Sequence, residues 1–136
     1  MFSIGELSKK TGVKVPTIRY YEQIGLIAPP DRTAGNQRRY SQAGFARLSF
    51  IRHSRDLGFS LDDTREFLEL SEHPDQQCSD AHSIASRHLT NLREKIIKLK
   101  RLEKELERIS TCKAGKLADC AVLETLADHS LCQTEH

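Results

Sequence analysis

The four cysteines are the residues of this 136-residue chain whose type and spacing suggest a particular chemistry. Cys112 and Cys120 flank a short segment with lysine and glycine, and Cys78 lies well upstream of both. In a reducing compartment, such cysteines indicate metal-binding or redox chemistry rather than disulfides. The N-terminal sequence lacks the pattern of a signal peptide, and no run of about 18 apolar residues is present. We therefore expect a cytoplasmic protein without a membrane segment.

The sequence between Cys78 and Cys112 predicts one long helix. From Asp80 to Ile109 the sequence contains neither glycine nor proline, and apolar residues recur at intervals of three, four or seven. A narrow stripe of this kind is typical of a coiled coil, because a small domain cannot cover it. The expected partner is a second copy, parallel or antiparallel; the alternative is a helix folded back on its own domain. The stripe consists of Ala85, Leu89, Leu92, Ile96, Leu99, Leu106 and Ile109.

A helix of that length separates Cys78 from Cys112 by roughly 45 Å, at about 1.5 Å per residue. One chain therefore cannot bring both thiols to the same ion. In an antiparallel dimer, the start of one helix lies beside the end of the other. Cys78 of one subunit would then meet Cys112 and Cys120 of its partner, forming two equivalent sites.

The number of thiolates indicates which ions such a site would bind. Three sulfur ligands suit Zn, Cd, Pb or Hg, whereas two in a nearly linear arrangement suit Cu(I). Cys78 is therefore the discriminating residue. His82 is a possible fourth ligand, although a surface or interface histidine is the favoured interpretation. His129 and Cys132 belong to a segment predicted to be a flexible tail, where they would be accessory ligands at most.

The distribution of charge indicates a partner for the first half of the chain. Residues 1–60 contain ten Lys or Arg and four Asp or Glu, which gives +6, whereas residues 61–136 contain eleven and fifteen, which gives −4. A basic region of this kind is typical of a phosphate-binding surface. An ordinary solvated charged face is an equally good interpretation of charge alone.

Two short helices at the N-terminus predict a helix-turn-helix. Ser3 and Glu6 fit a capping box for the first helix, Gly12 ends it, and Pro16 suits the first turn of the second. In this motif the second helix enters the major groove of DNA. The residues of that helix predicted to contact DNA are Thr17, Arg19 and Tyr20.

Residues 28–41 predict a small hairpin. Two prolines precede a turn, and the sequence QRRY suits the returning strand. Arg38 and Tyr40, with the neighbouring Arg39, would make this hairpin a wing that grips the DNA backbone. An ordinary exposed loop is the alternative.

These segments together resemble a known family. FSIGELSKKTGVKVPTIRYYEQIGLIAPPDRTAGNQRRY and LSFIRHSRDLGFSLDDTREFLEL are similar to the DNA-binding region of the MerR transcription regulators. The long helix and the two-cysteine loop resemble the metal-responsive branch, so the resemblance covers residues 2–126. It implies a mainly α fold: a winged helix-turn-helix domain (1–75), a dimerisation helix forming an antiparallel coiled coil (76–110), and a metal-binding loop with a short helix and tail (111–136).

The resemblance also implies a function. Such regulators are homodimers that bind double-stranded promoter DNA with an overlong spacer, and the metal-bound dimer twists this DNA so that RNA polymerase can start. The positions that match the family's metal ligands are Cys78, Cys112 and Cys120, and those that match its DNA contacts are Arg19, Tyr20, Arg38, Tyr40 and Arg55.

The departures from the family's other patterns narrow the choice of metal. Copper(I) sensors of this branch carry Ser at the place of Cys78, so a divalent ion is favoured. Zinc sensors often have a second cysteine where this chain has Lys113, which argues against a two-zinc site. The iron–sulfur sensors place several cysteines in the loop, whereas this loop has two.

Three other interpretations compete with a divalent-metal sensor. A Cu(I) or thiol-oxidation sensor of the same family is the nearest alternative. A DNA-architectural protein without an effector is the second, with the cysteines as small buried side chains. An enzyme is not expected, because the sequence contains no Ser/His/Asp set, phosphate-binding loop or paired carboxylates.

Overall fold

The computed structural model describes residues 1–32, 34–35, 37–111, 115 and 120–132, and for Arg38 the backbone alone. The chain divides into two compact units, Met1–Ala81 and His82–His136. The predicted division into three segments at 75/76 and 110/111 stays a prediction.

The fold is predominantly α-helical, as predicted, with one very short hairpin. Two antiparallel strands pair Asp31 with Arg39 and Arg32 with Arg38, and an isolated bridge joins Tyr40 to Phe2. The elements in chain order are α1 (Ile4–Thr11), α2 (Val15–Gln23), β1 (Asp31–Arg32), β2 (Arg38–Arg39), α3 (Gln42–Asp56), α4 (Leu61–Ser71), α5 (Ser79–Ser110), α6 (Ala121–Ala127) and a 3-10 turn (His129–Leu131).

Local capping explains where the helices of the first unit begin and end. The Ser3 hydroxyl oxygen accepts the amide of Glu6 at 3.1 Å, so Ser3 is confirmed as the N-cap residue of the predicted capping box. Ser41 and Ser60 cap α3 and α4 in the same way. Gly12 follows α1 with φ of 75°, a left-handed conformation that glycine adopts without steric cost.

The core of the first unit lies where α1, α2 and α3 meet, and α4 packs against α3. A buried hydrogen bond of 2.7 Å between the hydroxyls of Ser54 and Thr64 joins α3 to α4. The side chains with no exposed surface at the centre of this core are Leu7, Ile18, Leu26, Leu48 and Ile51.

The second unit consists of most of α5, together with α6 and the 3-10 turn. The predicted long helix is confirmed: α5 runs for 32 residues without a break. Unlike the helices of the first unit, it leaves most of its apolar stripe exposed, with Leu89 at 44%, Ile96 at 43% and Leu106 at 62%. Among the described residues, none of the helices combines the length and apolar character needed to cross a membrane.

Candidate functional site

The second helix of the helix-turn-helix presents one face to the core and the other to solvent. Ile18 and Tyr21 are buried, whereas Arg19 and Tyr20 are exposed and Thr17 is half-buried. Pro16 lies in the first turn of α2, where its missing amide proton costs no helical hydrogen bond. The three predicted contact residues thus lie on a helix whose opposite face packs into the core of the unit.

Two arginines from other helices hold the C-terminal end of α2. Arg65 of α4 donates to the carbonyl oxygen of Ile24 at 3.0 Å, and Arg47 of α3 donates to that of Leu26 at 2.7 Å. The carbonyl of Ile24, the C-cap residue, lacks a partner within the helix and is satisfied by Arg65, whereas Arg47 holds the chain just beyond the helix. The charge count did not anticipate this role, because nothing local in the sequence separates a carbonyl-binding arginine from a phosphate-binding one.

The wing is attached to the N-terminal segment as well as to its own hairpin. The amide of Phe2 donates to the carbonyl of Tyr40 at 2.8 Å, and the amide of Tyr40 donates back at 2.7 Å. The guanidinium of Arg39 lies 3.8 Å from the carboxylate of Glu6 in α1. The predicted hairpin is therefore confirmed, and backbone and side-chain contacts anchor it to the helix-turn-helix.

Tyr40 has a different environment from the one predicted. Its side chain is only 3% exposed, and its hydroxyl donates to the carboxylate of Glu22 in α2. A side chain this buried serves first as the link between wing and α2, which the alternation of the hairpin sequence did not reveal. Its direct contact with DNA stays a prediction, and the side chain of Arg38 lies outside the described part of the structure.

The remaining predicted DNA contact lies in the last turn of α3. Arg55 is exposed, and its guanidinium donates to the carbonyl of Phe59 just beyond the helix. This contact leaves further donors of the guanidinium group that can reach a phosphate. Arg52, one turn earlier, instead pairs with Asp56 at 3.0 Å and donates to a carbonyl at the end of α1.

Two of the cysteines, Cys78 and Cys120, lie at helix starts, and Cys132 follows the 3-10 turn. Cys78 is exposed and directly precedes α5, and the half-buried Cys120 is the N-cap residue of α6, which it caps without a side-chain hydrogen bond. Cys112 lies outside the described residues. Among the residues that the structure describes, no three His, Cys, Asp or Glu side chains of this single chain form a group able to hold a metal ion. His82 is exposed one turn into α5.

Within the segment predicted to be a flexible tail, the structure describes residues up to Cys132, and the flexibility of the tail stays a prediction. His129–Leu131 form a 3-10 turn capped by Asp128, whose carboxylate accepts the amide of Ser130 at 3.0 Å and its hydroxyl at 2.6 Å. The hydroxyl of Ser130 is the main reason why the pKa of Asp128 lies below its usual value. Residues 133–136 lie outside the described part.

Two protein-family models match this chain. Residues 2–71 match the model described as MerR HTH family regulatory protein, and residues 45–109 match the model described as MerR, DNA binding. The two matches overlap in α3 and α4 and together extend from the N-terminal segment to the end of α5.

Individual relatives match nearly the whole chain. The HTH-type transcriptional regulator HmrR of Sinorhizobium medicae is 39% identical, over 92% of this chain and 86% of its own length. The mercuric resistance operon regulatory protein of Bacillus cereus is 38% identical (92% and 96%), and the HTH-type transcriptional regulator ZntR of Escherichia coli is 35% identical (93% and 92%).

Solved structures share the fold. The transcription regulator PbrR691 from Ralstonia metallidurans CH34, in complex with lead(II), superimposes with a TM-score of 0.77 at 36% identity and covers 93% of this chain and 99% of its own. HiNmlR, a MerR family regulator bound to promoter DNA, has a TM-score of 0.60 at 22% identity, covers 98% and 96%, and supports the fold alone.

Proposed function

Because this chain belongs to the MerR family of DNA-binding transcription regulators, we propose that it activates transcription in response to a soft divalent metal ion. The family and these relatives are regulators and not enzymes. The observation that carries the proposal is that an unbroken α5 lies between Cys78, which directly precedes it, and Cys120, which opens α6. The thiols lie at opposite ends of a helix with an exposed apolar stripe.

The exposed stripe supports a homodimer built along α5. Five of its residues have between 43% and 62% of their surface exposed, although each is large and apolar. A row of this length is costly in water and indicates a protein partner. A second copy of α5 in the antiparallel orientation would cover it as a coiled coil. The five residues are Leu89, Leu92, Ile96, Leu99 and Leu106.

The length of α5 supports a metal site shared between subunits. Its 32 residues extend for about 48 Å, so the two ends of one helix cannot supply ligands to one ion. In the antiparallel dimer, Cys78 of one subunit would join Cys112 and Cys120 of the other. Three thiolates suit Zn, Cd, Pb or Hg better than Cu(I).

The relatives support a soft divalent metal ion but do not indicate which one this chain binds. PbrR691 has been solved with lead(II), and the relative from Bacillus cereus is named for mercuric resistance. All four ions of the proposed group accept sulfur ligands. Selectivity among them depends on the groups around the ligands and on the shape of the loop.

The first unit supports recognition of double-stranded promoter DNA. Arg19 and Tyr20 face solvent on α2, and Arg55 does so at the end of α3. In the proposal, Thr17 and Arg38 complete this surface, Tyr40 supports the wing, and RNA polymerase uses the promoter after the metal-bound dimer has distorted it. Distortion of a spacer that the protein does not touch is recognition through DNA deformability.

A reporter assay with single cysteine variants tests the sensing role. Cys78→Ser, Cys112→Ser and Cys120→Ser should each abolish activation by Zn, Cd, Pb and Hg. Cys132→Ser is the matched control, since it removes a thiol outside the proposed ligand set. Affinity for the promoter should be largely unchanged in all four variants; an equal loss of promoter binding and activation would refute the sensing role.

Counting protected thiols separates the proposal from its nearest alternatives. Metal should shield three thiols per site from a thiol reagent if the ion is divalent and two if it is Cu(I). Promoter activity that is unchanged by dialysis against a chelator would instead favour a DNA-architectural protein without an effector.

A further inference from the structure

Arg108 connects two segments of the second unit that lie far apart in sequence. Its Nε donates to Oε2 of Glu105 at 3.1 Å, and its Nη2 lies 3.4 Å from Oε1 of the same carboxylate. The same Nη2 donates to the carbonyl oxygen of Leu131 at 3.0 Å. One guanidinium thus joins the last turns of α5 to the 3-10 turn 23 residues later.

The carboxylate in this contact is buried. The side chain of Glu105 is 8% exposed and that of Arg108 is 31% exposed. A buried carboxylate is costly unless it is paired and hydrogen-bonded, so Glu105 holds the guanidinium in place. The hydrogen bond to Glu105 is also the main cause that raises the pKa of Arg108 above its usual value. The pair is therefore part of the packing of this unit, unlike an ordinary surface ion pair.

Buried residues and an apolar groove lie near the same junction. Ile109, next to Arg108, is 6% exposed, and Thr125 of α6 is 8% exposed. Val122 of α6 lines a groove of about 660 Å³ together with Leu102 and Ile109 of α5. The short helix α6 and the 3-10 turn also contact each other. Val122 of α6 and the last turns of α5 thus line one groove, and Arg108 links the end of α5 to the 3-10 turn that α6 contacts.

Cys120 is the residue at which this arrangement begins, because it is the N-cap of α6. The position of α6 therefore sets the position of the thiol. A seven-residue helix has little stability of its own, so its position depends on what it packs against. Arg108 supplies a polar anchor for the C-terminal end of the segment that α6 opens.

We propose that Arg108 is a positioning residue for the metal site, which holds Cys120 in place before the ion binds. This inference rests on the proposed function, since it assumes that Cys120 is a ligand. Without the anchor, part of the free energy of metal binding must be used to order α6 and the 3-10 turn. Ordering a site in advance improves affinity because this cost is met before binding.

Competition for Zn(II) against a chromophoric chelator, with the full-length protein, tests the proposal. Arg108→Ala should bind Zn(II) about tenfold more weakly, as expected for the loss of charge-assisted hydrogen bonds at a partly exposed site. Arg108→Lys keeps the charge but cannot reach Glu105 and Leu131 with one planar group, so it should show an intermediate loss. Lys104→Ala is the matched control: it removes one positive charge from the same helix at an exposed position and should bind like the unaltered protein.

A second measurement needs no metal. In the metal-free protein, amide hydrogen exchange of residues 120–131 should be faster in Arg108→Ala than in Lys104→Ala. The affinity of the metal-free protein for promoter DNA should be unchanged, since the first unit is untouched. A general loss of folding in Arg108→Ala would lower this affinity as well, and so would separate it from a local loss of order in residues 120–131.

The outcomes separate this inference from the proposed function. If the unaltered protein binds Zn(II) and Arg108→Ala binds it equally well, the positioning role is wrong while the sensing function stands. If the unaltered protein binds neither Zn(II) nor Pb(II), the proposed function fails and this inference fails with it. Should Arg108→Ala not fold, equal Zn(II) affinity in Arg108→Lys and Lys104→Ala would overturn the inference.

Discussion

The two units of this chain treat their apolar residues in opposite ways. In Met1–Ala81, the large side chains of three helices meet in one core, and Leu48 and Ile51 have no exposed surface. In His82–His136, Ile96 and Leu99 of α5 are 43% and 62% exposed. Burial of apolar surface is the main force that stabilises a fold. The first unit therefore has a complete core of its own, whereas the second lacks a partner for its longest element.

Charged residues show the same contrast. In the first unit, Arg47 and Arg65 donate to backbone carbonyls at the end of α2, so part of its positive charge stabilises the fold. In the second unit, Arg108 anchors a segment that contains a proposed metal ligand. A count of basic residues therefore overestimates the number available to DNA. The arginines that bind backbone carbonyls near helix ends must be subtracted from it.

The largest effect should come from a charge placed in the exposed stripe. Ile96→Glu would bury a carboxylate in each half of the proposed coiled coil, at a cost of about 2 kcal/mol or more per subunit. The dissociation constant of the dimer should rise by at least about a thousandfold, since about 1.4 kcal/mol is a factor of ten. Sedimentation equilibrium over a range of concentrations would show a shift to monomer.

Asn91→Glu is the control for this variant, because it adds the same residue to α5 at an exposed position outside the stripe. It should leave the dimer unchanged. If both variants dissociate the dimer equally, general charge repulsion is responsible. If neither does, the stripe is not the interface and the contrast between the two units does not hold.

A smaller effect, on folding stability and not on dimerisation, is expected in the core of the first unit. Leu48→Ala removes a side chain with no exposed surface, which typically lowers the free energy of unfolding by about 3 kcal/mol. Urea denaturation followed by circular dichroism would measure this loss. Gln42→Ala, at an exposed position of the same helix, should change it little. The dissociation constant of the dimer should be the same in both variants. If Leu48→Ala dissociated the dimer, the core of the first unit would contribute to dimer stability, and the contrast between the units would fail.

The helices were predictable because their signals are local. Ser3, Ser41 and Ser60 each cap a helix through an amide within three residues, so the start of each helix is visible in a few letters. The extent of α5 was predictable for the same reason: an apolar repeat without glycine or proline continues for about 30 residues.

The candidate site was less predictable because its contacts are not local. The bond from Arg65 to Ile24 spans 41 residues and that from Arg108 to Leu131 spans 23, and no periodic pattern encodes either. Whether Cys78 and Cys120 share an ion depends on a second copy, so a single chain cannot reveal it.

The smallest effect distinguishes two roles of Tyr40. Tyr40→Phe removes the hydroxyl that donates to Glu22, and the loss of one such hydrogen bond should cost about 1 kcal/mol of stability in the first unit. If the hydroxyl acts only by holding the wing to α2, its removal should weaken promoter binding in the unaltered protein but not in Glu22→Gln, where the charged acceptor is already lost. If Tyr40 touches DNA directly, both backgrounds should lose affinity by the same factor, because independent contacts are additive. Promoter titrations of the four proteins at one salt concentration measure this coupling. A coupling near zero would return Tyr40 to the DNA-contacting surface, and a coupling of about 1 kcal/mol would assign it to the core that holds the wing.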